Sequence, residues 1–154
     1  MTIRVRRATT ADIAALVEIR RESSDEQLDH GSSSATFAER MTRFLEGALA
    51  DDRWRIFVAE VDGQIVSTAY LQLIPKVPRP WPNPPWGYVS SVFTRPAHRD
   101  RGIGAMVLHE LRATAERDGL ERLLLWPSER SVAFYQRLGF RTDETLELEL
   151  PAGD

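Results

Sequence analysis

The stretch Arg99-Asp100-Arg101-Gly102-Ile103-Gly104-Ala105 decides how this chain is read. It lies between an apolar, β-like run, Tyr88 to Thr94, and a strongly helical one, Ala105 to Arg117. Strand, glycine loop and helix together form an anion-binding device. The glycines let backbone approach a phosphate with no Cβ in the way. The first N–H groups of the new helix have no internal partner and carry the positive end of its dipole. The loop lacks the third glycine of a dinucleotide fingerprint and the Gly-Lys-Ser/Thr ending of a P-loop.

Outward from the loop, the pattern resolves into alternating elements. Ile3 and Val5 alternate with Arg4 and Arg6, which predicts a short, half-buried strand. Thr9-Thr10-Ala11-Asp12 offers a capping box for a first helix that carries Ile13, Leu16 and Val17 and ends near Glu22. Ser23 to Ser34 is polar and reads as a loop. Thr36 and Glu39 can cap a second helix, with Phe37, Met41, Phe44, Leu45 and Ala48 on one face. Trp54 to Val61 and Gln64 to Ile74 are β-rich runs joined by Asp62-Gly63, a strong hairpin signal.

The helix after the glycine loop spaces Ile103, Val107 and Leu111 on one face, and Gly119 suits its C′ position. Leu123 to Trp126 reads as a short buried strand, and Ser128 as the N-cap of a helix through Leu138. Phe140 to Leu150 alternates Leu146, Leu148 and Leu150 against Glu147 and Glu149, a last strand with one wet face. The order is βααβββαβαβ. The pattern predicts an α/β or α+β fold with a mixed sheet. No repeat or linker divides the chain, so residues 1–154 read as one domain.

Composition narrows the function. The net charge is −3, against general nucleic-acid binding. There is no cysteine, which excludes disulfides, thiolate metal sites and a cysteine nucleophile, and fits a reducing compartment. No apolar run approaches the ~18 residues of a membrane helix, and the N-terminus has no signal-peptide core. A cytoplasmic protein with no metal, membrane or nucleic-acid partner is expected.

Two spacings carry a family resemblance. Arg99-x-x-Gly102-x-Gly104 resembles the Arg/Gln-x-x-Gly-x-Gly/Ala signature of the GCN5-related N-acetyltransferases (GNAT). Downstream, Ser128-x-x-Ser131-x-x-x-Tyr135-x-x-x-Gly139-Phe140 is similar to that family's C-terminal Asn-x-x-Ala-x-x-x-Tyr-x-x-x-Gly-Phe motif. The likeness extends loosely from Ile3 to about Leu150. It implies a GNAT-like, mostly antiparallel mixed sheet flanked by helices. It also implies that the strand before the glycine loop and the next strand splay apart, with acetyl-coenzyme A entering from one side and an amine acceptor from the other.

The resemblance assigns roles residue by residue. The backbone of Arg99, Asp100, Arg101, Gly102, Ile103, Gly104 and Ala105 would bind the pyrophosphate, with positive charge from Arg99 and Arg101. The backbone of Val92, Phe93 and Thr94 would pair with the pantetheine arm like an added strand. Ser128 caps its helix and stands where the family has a cofactor-contacting Asn. Tyr135 occupies the place of the family's catalytic tyrosine. A phenol with a pKa near 10 is protonated at pH 7 and can donate to a departing thiolate. A ring packed in the core with its hydroxyl on backbone is the structural alternative.

The general base is not legible. Tyr88 to Thr94 holds no carboxylate or histidine; Ser90 or Ser91 can order a water, and Glu22, Asp25, Glu26 and His30 lie in the segment that borders the acceptor site in this family. His98 is a further phosphate-contact candidate. Pro75 to Trp86 holds six of the nine prolines and is a restricted loop whose Trp81 and Trp86 either wall the acceptor pocket or pack on the sheet or a second subunit. The expected function is acetyl transfer from acetyl-coenzyme A to a primary amine of a small molecule or peptide. The alternative is a non-catalytic acyl-coenzyme A sensor of the same fold. A homodimer is left open.

Overall fold

Asp62 and Gly63 take left-handed backbone angles, φ 51° and 84°, and the two-residue turn they form sets the register of the central hairpin. That hairpin is the centre of the fold. The computed structural model describes residues 1–27 and 34–152. Strands β1 (Ile3–Arg7), β2 (Trp54–Val61), β3 (Gln64–Ile74), β4 (Trp86–Thr94) and β5 (Leu123–Leu124) form one sheet in chain order. The first three pairings are antiparallel and β4–β5 is parallel. Helices α1 (Ile13–Gln27) and α2 (Ser34–Leu49) cover one face. Helices α3 (Ile103–Arg117) and α4 (Val132–Arg137) lie with the other.

Period-two alternation along β2 and β3 divides the core in two. Phe57, Ala59, Ala69 and Leu71 pack with Ile103, Val107 and Leu111 of α3. Ile56, Val58 and Tyr70 pack with Leu16, Ile19, Leu45 and Ala48 of α1 and α2. Of the stripe expected on α2, Met41, Leu45 and Ala48 join the core, while Phe44 is 39% exposed. The capping box also forms: the Thr9 N–H donates to the Asp12 carboxylate at 2.7 Å. Arg6 holds the same carboxylate at 2.7 and 2.9 Å and reaches Glu60 on β2 at 2.5 Å.

β4 changes parity in its middle. The register shifts between Thr68 and Tyr70, and Ser91 sits at φ 52°, a costly region for a residue with a Cβ. The Thr68 hydroxyl donates to the Ser91 carbonyl at 3.1 Å and holds the bulge. Before it, Val89 faces α3; after it, Val92 packs on the α3 core and Phe93 on the α1/α2 core.

Several boundaries differ from the sequence expectation. α1 runs on to Gln27 rather than ending near Glu22, because Ser23 and Ser24 bond back to the Arg20 carbonyl inside the helix, both at 2.9 Å. α2 begins at Ser34, so Thr36 lies within it and does not cap it. The strand expected over Leu123 to Trp126 is two residues long, and Trp126 is exposed. No strand forms over Phe140 to Leu150; Leu146, Leu148 and Leu150 are 97%, 83% and 74% exposed. Among the described residues, no helix is long and apolar enough to cross a membrane.

Candidate active site

The glycine loop lies at the C-terminal end of β4. A 3-10 turn, Pro96–His98, carries the chain out of the strand, and Gly102 at φ 76° turns it into α3. The first helical bond runs from the Met106 N–H to the Gly102 carbonyl at 3.0 Å. The amides of Ile103, Gly104 and Ala105 precede it, so the dipole's positive end and three donors gather at this end. A Cβ on Gly104 would stand 3.3 Å from Thr94 Oγ1 and 3.6 Å from the Phe134 ring. The glycine thus allows α3, the end of β4 and α4 to meet. Asp100 also takes a left-handed conformation, φ 62°.

The flanking cations differ. Arg99 is anchored: its Nε donates to the Thr94 carbonyl at 2.8 Å and its guanidinium lies 5.3 Å from the Phe93 ring centre. Arg101 is exposed, with Met1 Sδ at 3.6 Å. His98 Nδ1 is buried with no hydrogen-bond partner among the described residues.

The outer edge of β4 is paired to β5 only at Gly87–Leu123 and Tyr88–Leu124. β5 ends at Leu124, so among the described residues the outer side of β4 has no strand partner from Val89 to Thr94, and this open edge, with Val92, Phe93 and Thr94, leads into the glycine loop. The Phe93 carbonyl accepts from Ser67 Oγ at 3.1 Å, and Ser67 Oγ also meets Thr94 Oγ1 at 2.8 Å. These bonds fix the last residues of β4 from behind.

Tyr135 lies on α4, its ring edge-on to Phe134 at 5.1 Å and to Phe140 at 5.7 Å. Burial pushes its hydroxyl pKa up from the usual tyrosine value of 10.0. The phenol keeps its proton throughout the neutral range. Ser128 precedes the turn into α4, but its hydroxyl bonds Ser131 Oγ at 2.9 Å, not a helix N–H; the expected side-chain cap does not form.

Toward the other end of β4, Ser90, already a candidate from the sequence, stands with Tyr88 and Trp126, which the sequence pattern did not single out. Tyr88 and Ser90 share a face of β4, opposite Gln72 and Tyr70 of β3. Tyr70 packs under α1 and α2, so this is the α1/α2 face. Trp126, two residues past Leu124, joins the same side and meets Tyr88 edge-on at 5.3 Å. Trp126 is 65% exposed. The Tyr70 hydroxyl is buried without a partner among the described residues, and burial raises its pKa to about 12. Two turns of ordinary strand alternation, at 88/90 and 124/126, were the available signal for this face.

Other candidates are placed elsewhere. Glu22 is held by Arg95 through two bonds of 2.9 Å, while Arg95 also donates to the Ile65 carbonyl at 3.0 Å. Glu22 thus joins α1 to the end of β4, with its side chain still 37% exposed. The side chains of Asp25 and Glu26, and His30 as a whole, lie outside the described residues. Trp86 is engaged in packing: its Nε1 donates to Glu121 at 2.5 Å, and Lys76 and Arg122 lie 5.1 and 5.6 Å from its ring centre. Trp81 is 61% exposed, with Arg79 5.6 Å from its ring centre.

Comparison with known proteins follows this geometry. Residues 13–140 match the model of the Acetyltransferase (GNAT) family. A curated relative, glucosamine 6-phosphate N-acetyltransferase of Trypanosoma brucei brucei, is 31% identical over 90 residues, 58% of this chain. The match spans 60% of that relative's length. The structure of a predicted acetyltransferase from Clostridium acetobutylicum, solved with acetyl-CoA, is 29% identical with a TM-score of 0.81, and the match covers 96% of both chains. Glucosamine-6-phosphate N-acetyltransferase from Arabidopsis thaliana is 19% identical with a TM-score of 0.77, covering 97% of this chain and 99% of that one; it is alike in fold.

Proposed function

This chain belongs to the Acetyltransferase (GNAT) family, whose donor is acetyl-coenzyme A, and we propose that it moves an acetyl group to the primary amine of a small molecule by direct attack. The observation that carries this reading is the open outer edge of β4, with donors at one end and an exposed aromatic face at the other. The whole chain acts as one N-acetyltransferase domain, in the cytoplasm.

The chain's own groups divide the work. The amides of residues 99–105 and the Arg99 and Arg101 charges hold the donor's pyrophosphate. The free outer edge of β4 at Val92, Phe93 and Thr94 aligns the pantetheine arm, and alignment supplies much of the barrier reduction. Tyr135 keeps its proton at neutral pH and gives it to the departing sulfur. The amine approaches from the α1/α2 face, across Tyr88, Ser90 and Trp126. With Glu22 held by Arg95, deprotonation falls to a water ordered at Ser90 or Ser91, or the amine arrives neutral. The rate therefore rises with pH as the amine loses its proton.

A panel of primary amines tests the reading: amino sugars and their phosphates, polyamines, aminoglycosides, amino acids and peptides, each with acetyl-coenzyme A. Free thiol release is followed. Thiol release stimulated by one class, with acetylated amine found by mass spectrometry, is expected. Tight coenzyme A binding with no turnover on any class would favour the sensor.

A further inference from the structure

We propose that Glu22 and Arg95 are a pair of positioning residues, through which occupation of the donor loop is felt at α1, the wall of the acceptor face. The inference rests on the function proposed above, in which the glycine loop holds the donor and the α1/α2 face receives the amine.

Arg95 stands where three elements meet. It is the first residue past β4, and it precedes the turn Pro96–His98 that leads to the glycine loop. Its N–H donates to the Val66 carbonyl at 2.8 Å and its Nη1 to the Ile65 carbonyl at 3.0 Å, so β3 fixes its place. Its own carbonyl accepts the His98 N–H at 2.8 Å and closes the turn. The rest of the guanidinium goes to α1. Nε and Nη2 donate to the two carboxylate oxygens of Glu22, both at 2.9 Å. Two such bonds together fix direction as well as distance.

α1 has few other means of attachment at this point. Leu16 and Ile19 enter the core, and no apolar residue follows Ile19 in the helix. The hydroxyls of Ser23 and Ser24 turn back to the Arg20 carbonyl. Yet this part of α1 lies over the acceptor face. Arg20 is close enough to the Tyr70 hydroxyl to act on it electrostatically, and Tyr70 lies opposite Ser90.

The side chains of Arg95 and Glu22 are 27% and 37% exposed. An ion pair so open to water adds little to stability. Its consequence is geometric. A change in the loop around a bound pyrophosphate has a short bonded path to α1, through the Pro96–His98 turn, the Arg95 guanidinium and the Glu22 carboxylate.

Hydrogen exchange on the full chain tests the path, with coenzyme A as the probe and calorimetry to confirm its binding. In the wild type, saturating coenzyme A should slow exchange over residues 20–27 about threefold or more. Glu22→Gln keeps the shape and removes the charge. It should bind coenzyme A with little change in Kd and lose the response at α1. Glu18→Gln, on the same helix but bonded to Arg21, should keep the response. In turnover of the amine that the panel selects, Glu22→Gln should raise the acceptor KM about fivefold and leave kcat nearly unchanged. A pair that merely stabilises α1 would instead lower protection equally with and without coenzyme A. That result, a wild type that binds coenzyme A with no response at α1, or a response lost equally in Glu18→Gln would each overturn the proposal and leave the assigned reaction standing. Absence of coenzyme A binding would overturn both.

Discussion

The two edges of β4 differ in kind. Its inner edge runs beside β3 for nearly the whole strand, from Ile74–Trp86 to Ser67–Thr94. Its outer edge meets β5 at two residues and then stands free. The inner edge is completed by the chain itself, and hairpin and alternation specify it. Among the described residues, the outer edge has no strand partner from Val89 onward, and the proposed reading puts the donor there, beyond the line where strand pairing ends.

Substitutions on either side of the line should separate the two kinds of edge. The largest effect is expected on the free side. Tyr135→Phe should lower kcat about 10²-fold with little change in Kd for acetyl-coenzyme A. Its desolvated hydroxyl titrates above 10, so loss of its proton should not limit the rate between pH 7 and 9. Rapid-mix kinetics and a pH profile check both; a twofold loss or less would make Tyr135 a packing residue. Next, Gly104→Glu adds bulk 3.3 Å from Thr94 and a negative charge at the helix N-terminus. Coenzyme A affinity should fall at least tenfold, or about 1.4 kcal/mol, by calorimetric titration on a variant shown to be folded.

The paired side should respond in stability instead. Asp12 serves the capping box and the Arg6 bond together, and Arg6 foremost holds its carboxyl below the usual range. Asp12→Ala should cost about 1.5–3 kcal/mol and leave acetyl-coenzyme A affinity unchanged. A depressed folded pKa means that this stability is present above the unfolded carboxylate value, about 3.9, and is lost as pH falls through the folded one. Denaturant melts at pH 7 and pH 3 should therefore show a smaller difference between wild type and variant in acid. The smallest effect belongs to the acceptor mouth. Trp126→Ala should raise the acceptor KM several-fold, the ~0.5–2 kcal/mol of an indole face against a cationic amine, and Trp81→Ala should not. The reverse outcome would move the acceptor to the proline loop.

Legibility followed the same line. The β2–β3 hairpin was readable to the residue, because Asp62-Gly63 is a local turn signal and both strands alternate against two helical layers. The glycine loop was readable because positive φ and close approach demand glycine at Gly102 and Gly104. Tyr88 and Trp126 were not, since aromatic residues in a β run look like core until the neighbouring strand is known to leave. The Glu22–Arg95 pair was not legible, because the two residues are distant in sequence and adjacent only in the fold. The leucines of the tail have the period of a strand, but no strand forms over them, because period alone supplies no pairing partner.

One inserted residue organises β4. Odd and even positions exchange sides at Ser91, so Val92 and Thr94 look toward α3 while Phe93 looks toward α1 and α2. The strand is thus two rulers joined half a step out of phase, one on each side of Ser91. Straightening the bulge with Ser91 kept as an ordinary strand residue would put every position after it on the opposite face. Thr94 would turn its hydroxyl away from Ser67 and Gly104, and Phe93 would be driven into the α3 core. The same residues in an unbulged strand would keep the sheet's hydrophobicity and lose the match between β4 and the two helical layers.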